Sequence, residues 1–231
     1  MKSFLADYQS RVEEFDEYFS FIRFIDKIET HKKQNLFIDQ ITFVTPRRDL
    51  QKILRANCFI LLYNLVESSI RNGILGVYDC IHDNGLTYYD LSDKVKDIWL
   101  SNKSQKIKLS EKNFKLSLRE LIEETSVSNQ IILRNDTITI SGNLDYKNIQ
   151  KIVTAFGFWG KITIEEKKVI KALDKIKEER NLLAHGNKTF TQSGAIITIA
   201  ELETIKTVAI AYLNDLLNNI SVYIDNKSYL K

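Results

Sequence analysis

In 231 residues the chain has one proline, eight glycines, two cysteines, three histidines and one methionine. So few turn residues argue against a β sandwich or barrel, whose many short strands need frequent breaks. Cys58 and Cys80 stand 22 positions apart with no Cys-x-x-Cys or Cys/His ligand spacing. That argues against a disulfide scaffold and a zinc knuckle, and leaves two buried free thiols in a reducing compartment. Three histidines without a paired acid give no catalytic metal site, and no glycine-rich phosphate loop is present. No cofactor or metal is therefore expected. The N-terminus carries acids where a signal peptide would be apolar, and no window approaches about 18 uninterrupted apolar residues. The expectation is a soluble, cytoplasmic protein without a membrane span. A net charge of +3 permits a nucleic-acid partner without arguing for one.

What is present is helix. A hydrophobic content of 44% at this length supports a sizeable core. Over residues 3–30, Phe4, Tyr8, Val12, Phe15, Phe19, Ile22 and Ile25 recur at three- and four-residue steps, with acids opposite. After an irregular connection from His31, Thr45-Pro46 reads as N-cap and N1 of a second helix over about 46–81. That helix is apolar on nearly every side between Cys58 and Val66, so it should be central and covered from several directions. Asn57, Asn64 and Arg71 form a polar seam along it. Glu67 falls on a stripe otherwise filled by Ile53, Ala56, Ile60, Tyr63, Ile70 and Ile74, where a carboxylate needs a cation.

Asp83-Asn84-Gly85 is a turn, and beyond it the texture changes. Short helices are expected at 88–101 and 111–124, and a small hairpin at Asn129–Ile140. A further helix is expected to open near Ser141 and stop at Phe156-Gly157. Lys94 to Arg119 holds eight basic residues against two acids, with Trp99 and Phe114 interleaved. A solvated face is the weightier reading of that stretch, and a single-strand RNA surface the sharper one.

Thr163 to Gly186 carries the chemistry. Thr163 and Glu166 have capping-box spacing, and Gly186 stands where a left-handed residue would stop the helix. The apolar stripe runs Val169, Leu173, Ile176, then Arg180, then Leu183. Asn181 and His185 are i, i+4 neighbours, whereas Arg180 and His185 point about 140° apart. One helix cannot focus both on one phosphate, but two copies about a two-fold axis can. The arginine offers fixed charge and bidentate geometry, the histidine a proton-transfer group. By residue types alone a salt-bridged arginine and a solvated terminal histidine weigh more than catalysis. After a connection through Ser193-Gly194, Thr198 and Glu201 repeat the capping box and open a last helix over about 199–224.

Arg180-Asn-Leu-Leu-Ala-His185-Gly resembles the Arg-x4–6-His motif of the HEPN superfamily. LLYNLVESSIR (61–71) resembles the early helix of the MAE-type HEPN nucleases, and SGNLDYKNIQKIVTAFGF (141–158) a segment ahead of their motif helix. The order of elements gives one domain over 1–231, an antiparallel bundle of four long helices with a small α+β insertion at 86–162, and the resemblance implies that it is a mainly all-α, HEPN-like fold. It also implies a homodimeric, metal-independent endoribonuclease of a toxin–antitoxin, phage-defence or restriction system, restrained by an antitoxin or another partner protein. RNA would be cut by 2′-hydroxyl attack. Arg180 would bind the phosphate, His185 move the proton and Asn181 orient. Glu67, from the neighbouring helix, is added here as a partner for Arg180 or His185. The alternative is a non-catalytic HEPN module that binds RNA, a nucleotide or a protein.

Overall fold

The computed structural model describes residues 2–30, 36–37, 43–44, 48–106, 111–126, 129–133 and 143–231. Among these, eight α-helices run in order: α1 Ser3–Thr30, α2 Arg48–Asp83, α3 Asp93–Lys106, α4 Glu111–Glu124, α5 Tyr146–Phe156, α6 Glu166–Ala184, α7 Phe190–Ala195 and α8 Ile199–Asp225. A two-residue antiparallel pair, β1 Leu36–Phe37 with β2 Phe43–Val44, lies in the stretch read as an irregular connection. The fold is thus mainly α.

All seven apolar positions that predicted α1 are buried. They lie against α2, whose Cys58, Phe59, Leu62, Tyr63, Leu65 and Val66 are buried as well. By length and composition alone α2 could cross a membrane. It packs instead against α1, α6, α7 and α8, the central placement expected from its all-round apolarity. Cross-contacts set the chain directions. Lys2 pairs with Asp225 and Arg23 with Glu203, so α1 runs antiparallel to α8. The Tyr18 hydroxyl donates to the Leu54 carbonyl while Asp7 accepts from Asn72, so α1 also opposes α2. Gly73 in α2 lets the Ile220 and Leu217 side chains of α8 approach its backbone.

The region between α2 and α6 shares the same core. Leu91, Val95, Trp99, Ile131, Leu144, Ile149, Val153, Phe156 and Phe158 are buried within it. Gly85 (φ +61) makes the turn after α2, and Gly157 (φ +82) closes α5. Asp145 caps α5 by accepting from the Asn148 N–H. The hairpin expected at Asn129–Ile140 is not seen among the described residues. Gln130 makes only an isolated bridge to Thr87, and residues 134–140 lie outside the description. The Thr45-Pro46 cap and His31 also lie outside it.

Two local readings are corrected. Thr163 does not cap α6: its N–H and hydroxyl both donate to the Asp215 carboxylate of α8, at 2.6 and 2.7 Å. The Asp215 carboxylate outcompetes the local box, so the N-cap moves two residues on, to Glu165, and the helix starts at Glu166. The Ser193-Gly194 connection is α7, capped by Thr189 and Gln192. Thr198 and Glu201 do form the expected box on α8.

Gly194 shows why α7 sits where it does. A Cβ there would stand 1.8 Å from the Lys52 carbonyl oxygen of α2. Gly194→Ala should therefore lower stability by about 2 kcal/mol, the typical cost of overpacking. Urea denaturation checks this; an unchanged midpoint would mean that α7 does not pack on α2.

Candidate functional site

The site is built where the C-terminal half of α6 crosses the middle of α2. Gly186, with φ +68, ends α6 as expected and has open space around its Cβ position, so the glycine is required by its backbone conformation alone. Val169, Leu173, Ile176 and Leu183 are buried as the stripe predicted.

Arg180 is half-buried, not enclosed. Its guanidinium carbon lies 4.1 Å from the centroid of the Tyr63 ring. One guanidinium nitrogen donates to the Asn181 side-chain oxygen at 3.0 Å. The Asn181 amide in turn donates to Asn143 at 2.8 Å, just ahead of α5. Tyr63 is the hinge of this cluster. Its hydroxyl accepts the Leu144 N–H at 3.1 Å, and the Glu67 carboxylate lies near it, one turn on along α2. Burial pushes the phenol above its ordinary range, so it stays a neutral donor and acceptor. Glu67 thus borders the cluster beside Tyr63, and it lies 3.8 Å from Arg71, one turn on. Of the four residues selected from sequence, Arg180 and Asn181 share this network, and Glu67 stands beside it next to Tyr63.

His185 does not. It is exposed and lines a shallow depression of about 410 Å³ with Asp174, Lys177, Glu178, Asn181, Leu182 and Asn187. Asn181 belongs to both places, since it bonds Arg180 on one side and borders the depression on the other. Lys177 ties the depression to α5 through Asp145 at 2.8 Å. Although burial pushes the Asp145 carboxyl up, donation from Lys177 and from the Asn148 N–H holds it below the usual carboxylate range.

Sequence reasoning missed Tyr63 and Asn143 as site residues, and it missed Glu179. Tyr63 was read as one more apolar position of the α2 stripe. Asn143 stands in a segment with no periodicity to place it. Glu179 is the charged residue that α6 truly buries, at 2% exposure. Its carboxylate accepts from Lys175 (2.9 Å), Lys188 (2.9 Å) and the Ser193 hydroxyl (2.6 Å). It thereby pins the loop after His185, and the start of α7, back onto α6. No three His, Cys, Asp or Glu side chains are grouped as metal ligands among the described residues.

A family model described as MAE_28990-like HEPN matches residues 1–229. The chain is a HEPN protein. Members of the HEPN family are commonly ribonucleases. Comparison with curated proteins and with solved structures returns no match. The family match includes α1, which carried no part of the resemblance drawn from motifs.

Glu179 supplies a test of the architecture around this HEPN motif. Burial pushes its carboxyl up, but donation from Ser193, Lys175 and Lys188 outweighs that and holds its pKa below the ordinary glutamate value. A lowered folded pKa stabilises above the unfolded value of about 4.3, and the gain is lost as pH falls from there through the folded value. Glu179→Gln should cost roughly 2–3 kcal/mol at pH 7, because two lysines lose their buried anion. The gap from wild type should narrow on acidification below about pH 4. Urea titrations at both pH values measure it; a gap that does not change with pH would contradict the ionised clamp.

Proposed function

We propose that this HEPN protein is a metal-independent endoribonuclease, a toxin or phage-defence effector, whose site is completed only in a homodimer. One observation carries the reading. Arg180 is held on the Tyr63 ring and bonded to Asn181, while His185 is exposed beside a depression that Asn181 also borders. Within one chain the cation and the imidazole are aimed apart, as the helical angle requires. Two copies of α6 about a two-fold axis bring Arg180 of one protomer toward His185 of the other.

In the proposed reaction His185 accepts the 2′-hydroxyl proton of the RNA. The 2′-oxygen attacks the adjacent phosphorus in line and the P–O5′ bond breaks. The 5′-oxygen then leaves with a proton returned from imidazolium or water. Arg180 donates to the non-bridging oxygens as charge gathers on them. A guanidinium already stacked on a ring loses little freedom in doing so. Asn181 orients the arginine and contributes a polar edge to the depression. Tyr63 and Glu67 are positioning residues that act through Arg180. Products are a 2′,3′-cyclic phosphate and a 5′-hydroxyl. An antitoxin or another partner protein of the defence system would restrain the enzyme between uses.

Purified protein should cleave single-stranded RNA in EDTA and spare DNA. Arg180→Ala and His185→Ala should each lower cleavage by about 100-fold or more, with the dimer intact by size exclusion. Cleavage unchanged in both variants would sink the assignment. A strict monomer that binds RNA without cutting it would favour the non-catalytic module.

The composite site has its own test. Mixing the two inactive variants should regain about a quarter of wild-type activity, since half the dimers are mixed and each mixed dimer holds one complete site. If activity stays at the level of the single variants while mixed dimers form, the site does not join two chains.

A further inference from the structure

A second feature lies at the far end of α5 from the candidate site. Trp159 is 61% exposed, whereas the other tryptophan, Trp99, is 1% exposed. Leaving so large an apolar ring in water is unusual, and the backbone here is held firmly in place. Gly157 takes the left-handed conformation, and the Lys94 stem lies across the space its side chain would fill. Phe158 is buried, stacked on Phe156 with centroids 4.8 Å apart and edge-on to Tyr223. Gly160 abuts Asn219, whose side chain a Cβ would meet at 2.0 Å. The ring between them is therefore presented outward from a rigid turn. The Lys94 ammonium lies 5.2 Å from its centroid.

A basic ridge leads from that ring toward the site. α5 carries no acidic residue, and its exposed Lys147 and Lys151 lie one turn apart on the same face. Its N-cap Asp145 pairs with Lys177 of the depression, and Asn143, just ahead of the helix, bonds Asn181. The helix ends beside Lys94, Trp159 and the exposed Lys161. Eleven residues span about 16 Å. Trp99, which sequence alone paired with the lysine-rich stretch, is enclosed in the core and cannot stack on a base. Lys94 of that stretch has Trp159 as its exposed aromatic neighbour.

We propose that the outer face of α5 is a track for single-stranded RNA. Lys147, Lys151 and Lys94 follow the phosphates, and Trp159 stacks an unpaired base at the end distant from Arg180. The inference rests on the ribonuclease reading for its choice of ligand. An aromatic ring with a cation beside it and lysines leading up to it is the arrangement that binds single strands without sequence preference. A wholly apolar protein contact would not need the lysines.

The test uses the full chain and a fluorescent 2′-O-methyl oligonucleotide, which lacks the attacking hydroxyl and so separates binding from cleavage. Anisotropy should show Trp159→Ala weakening binding by about 5- to 100-fold, with Trp159→Phe retaining most of the affinity. Lys151→Ala should lower the slope of log affinity against log salt by about one. In wild type, oligonucleotide should quench the tryptophan emission and shield it from acrylamide, because only Trp159 is accessible.

Equal affinity of wild type and Trp159→Ala, with emission unmoved, would overturn the track and leave the nuclease reading to the cleavage assay. Binding through Trp159 without cleavage of ordinary RNA would keep the track and overturn the nuclease reading. No binding of the oligonucleotide would overturn the track and leave the ring as a protein contact.

Discussion

The contact on which the candidate site depends is that of the Arg180 guanidinium with the Tyr63 ring, where α6 crosses α2. A half-buried cation over a buried ring gains roughly 1–2 kcal/mol, and its flat guanidinium keeps its donors directed outward along the edge. Everything near it is arranged from that ring. The same phenol holds the α5 N-terminus through Leu144 and faces Glu67 along its own helix. Asn181 then bridges to Asn143, so that three separate segments share one polar network. Because burial keeps the phenol neutral, the Arg180 cation rests on an uncharged ring.

Below the network, a second device braces the chain beyond the motif. Glu179 is buried and takes three donors from its own helix, from the loop after it and from α7. A carboxylate so placed is costly to bury and costly to disturb, which makes the loop after His185 a defined structure. Gly194 allows α7 to close against the α2 backbone, and the clamp and that contact reinforce each other. The histidine thus projects from a braced helix end, exposed but set on a rigid support. For a group proposed to meet a second chain, that is the useful combination.

Much of the fold could be read in residue order, and particular residues show why. Phe4 through Ile25 give an unambiguous helical period and the run around Cys58–Val66 is apolar on nearly every side, and both became buried surfaces. Gly186 and the Thr198–Glu201 box were legible because each acts within one turn of its own helix. Thr163 misled for the complementary reason: its partner, Asp215, is 52 positions away and competes with the local cap. α7 was hidden because Ser193-Gly194 has loop composition, and only the close approach of α2 shows why those small residues are there.

The sequence by itself determined which residues could do chemistry: Arg180, Asn181 and His185 on one helix stopped by Gly186, with the angle between arginine and histidine set by helical geometry. It also determined, through all-round apolarity, that α2 would be central. Only the tertiary structure decided what holds those residues. It chose Tyr63 as the rest for the guanidinium, Glu179 as the truly buried charge, and Trp159 as the exposed aromatic in place of Trp99. The physical reason is that period and capping are local, acting over one or two turns. Ring–cation stacking, buried ion clamps and exposure depend on which distant segments meet, and no short window of sequence records that.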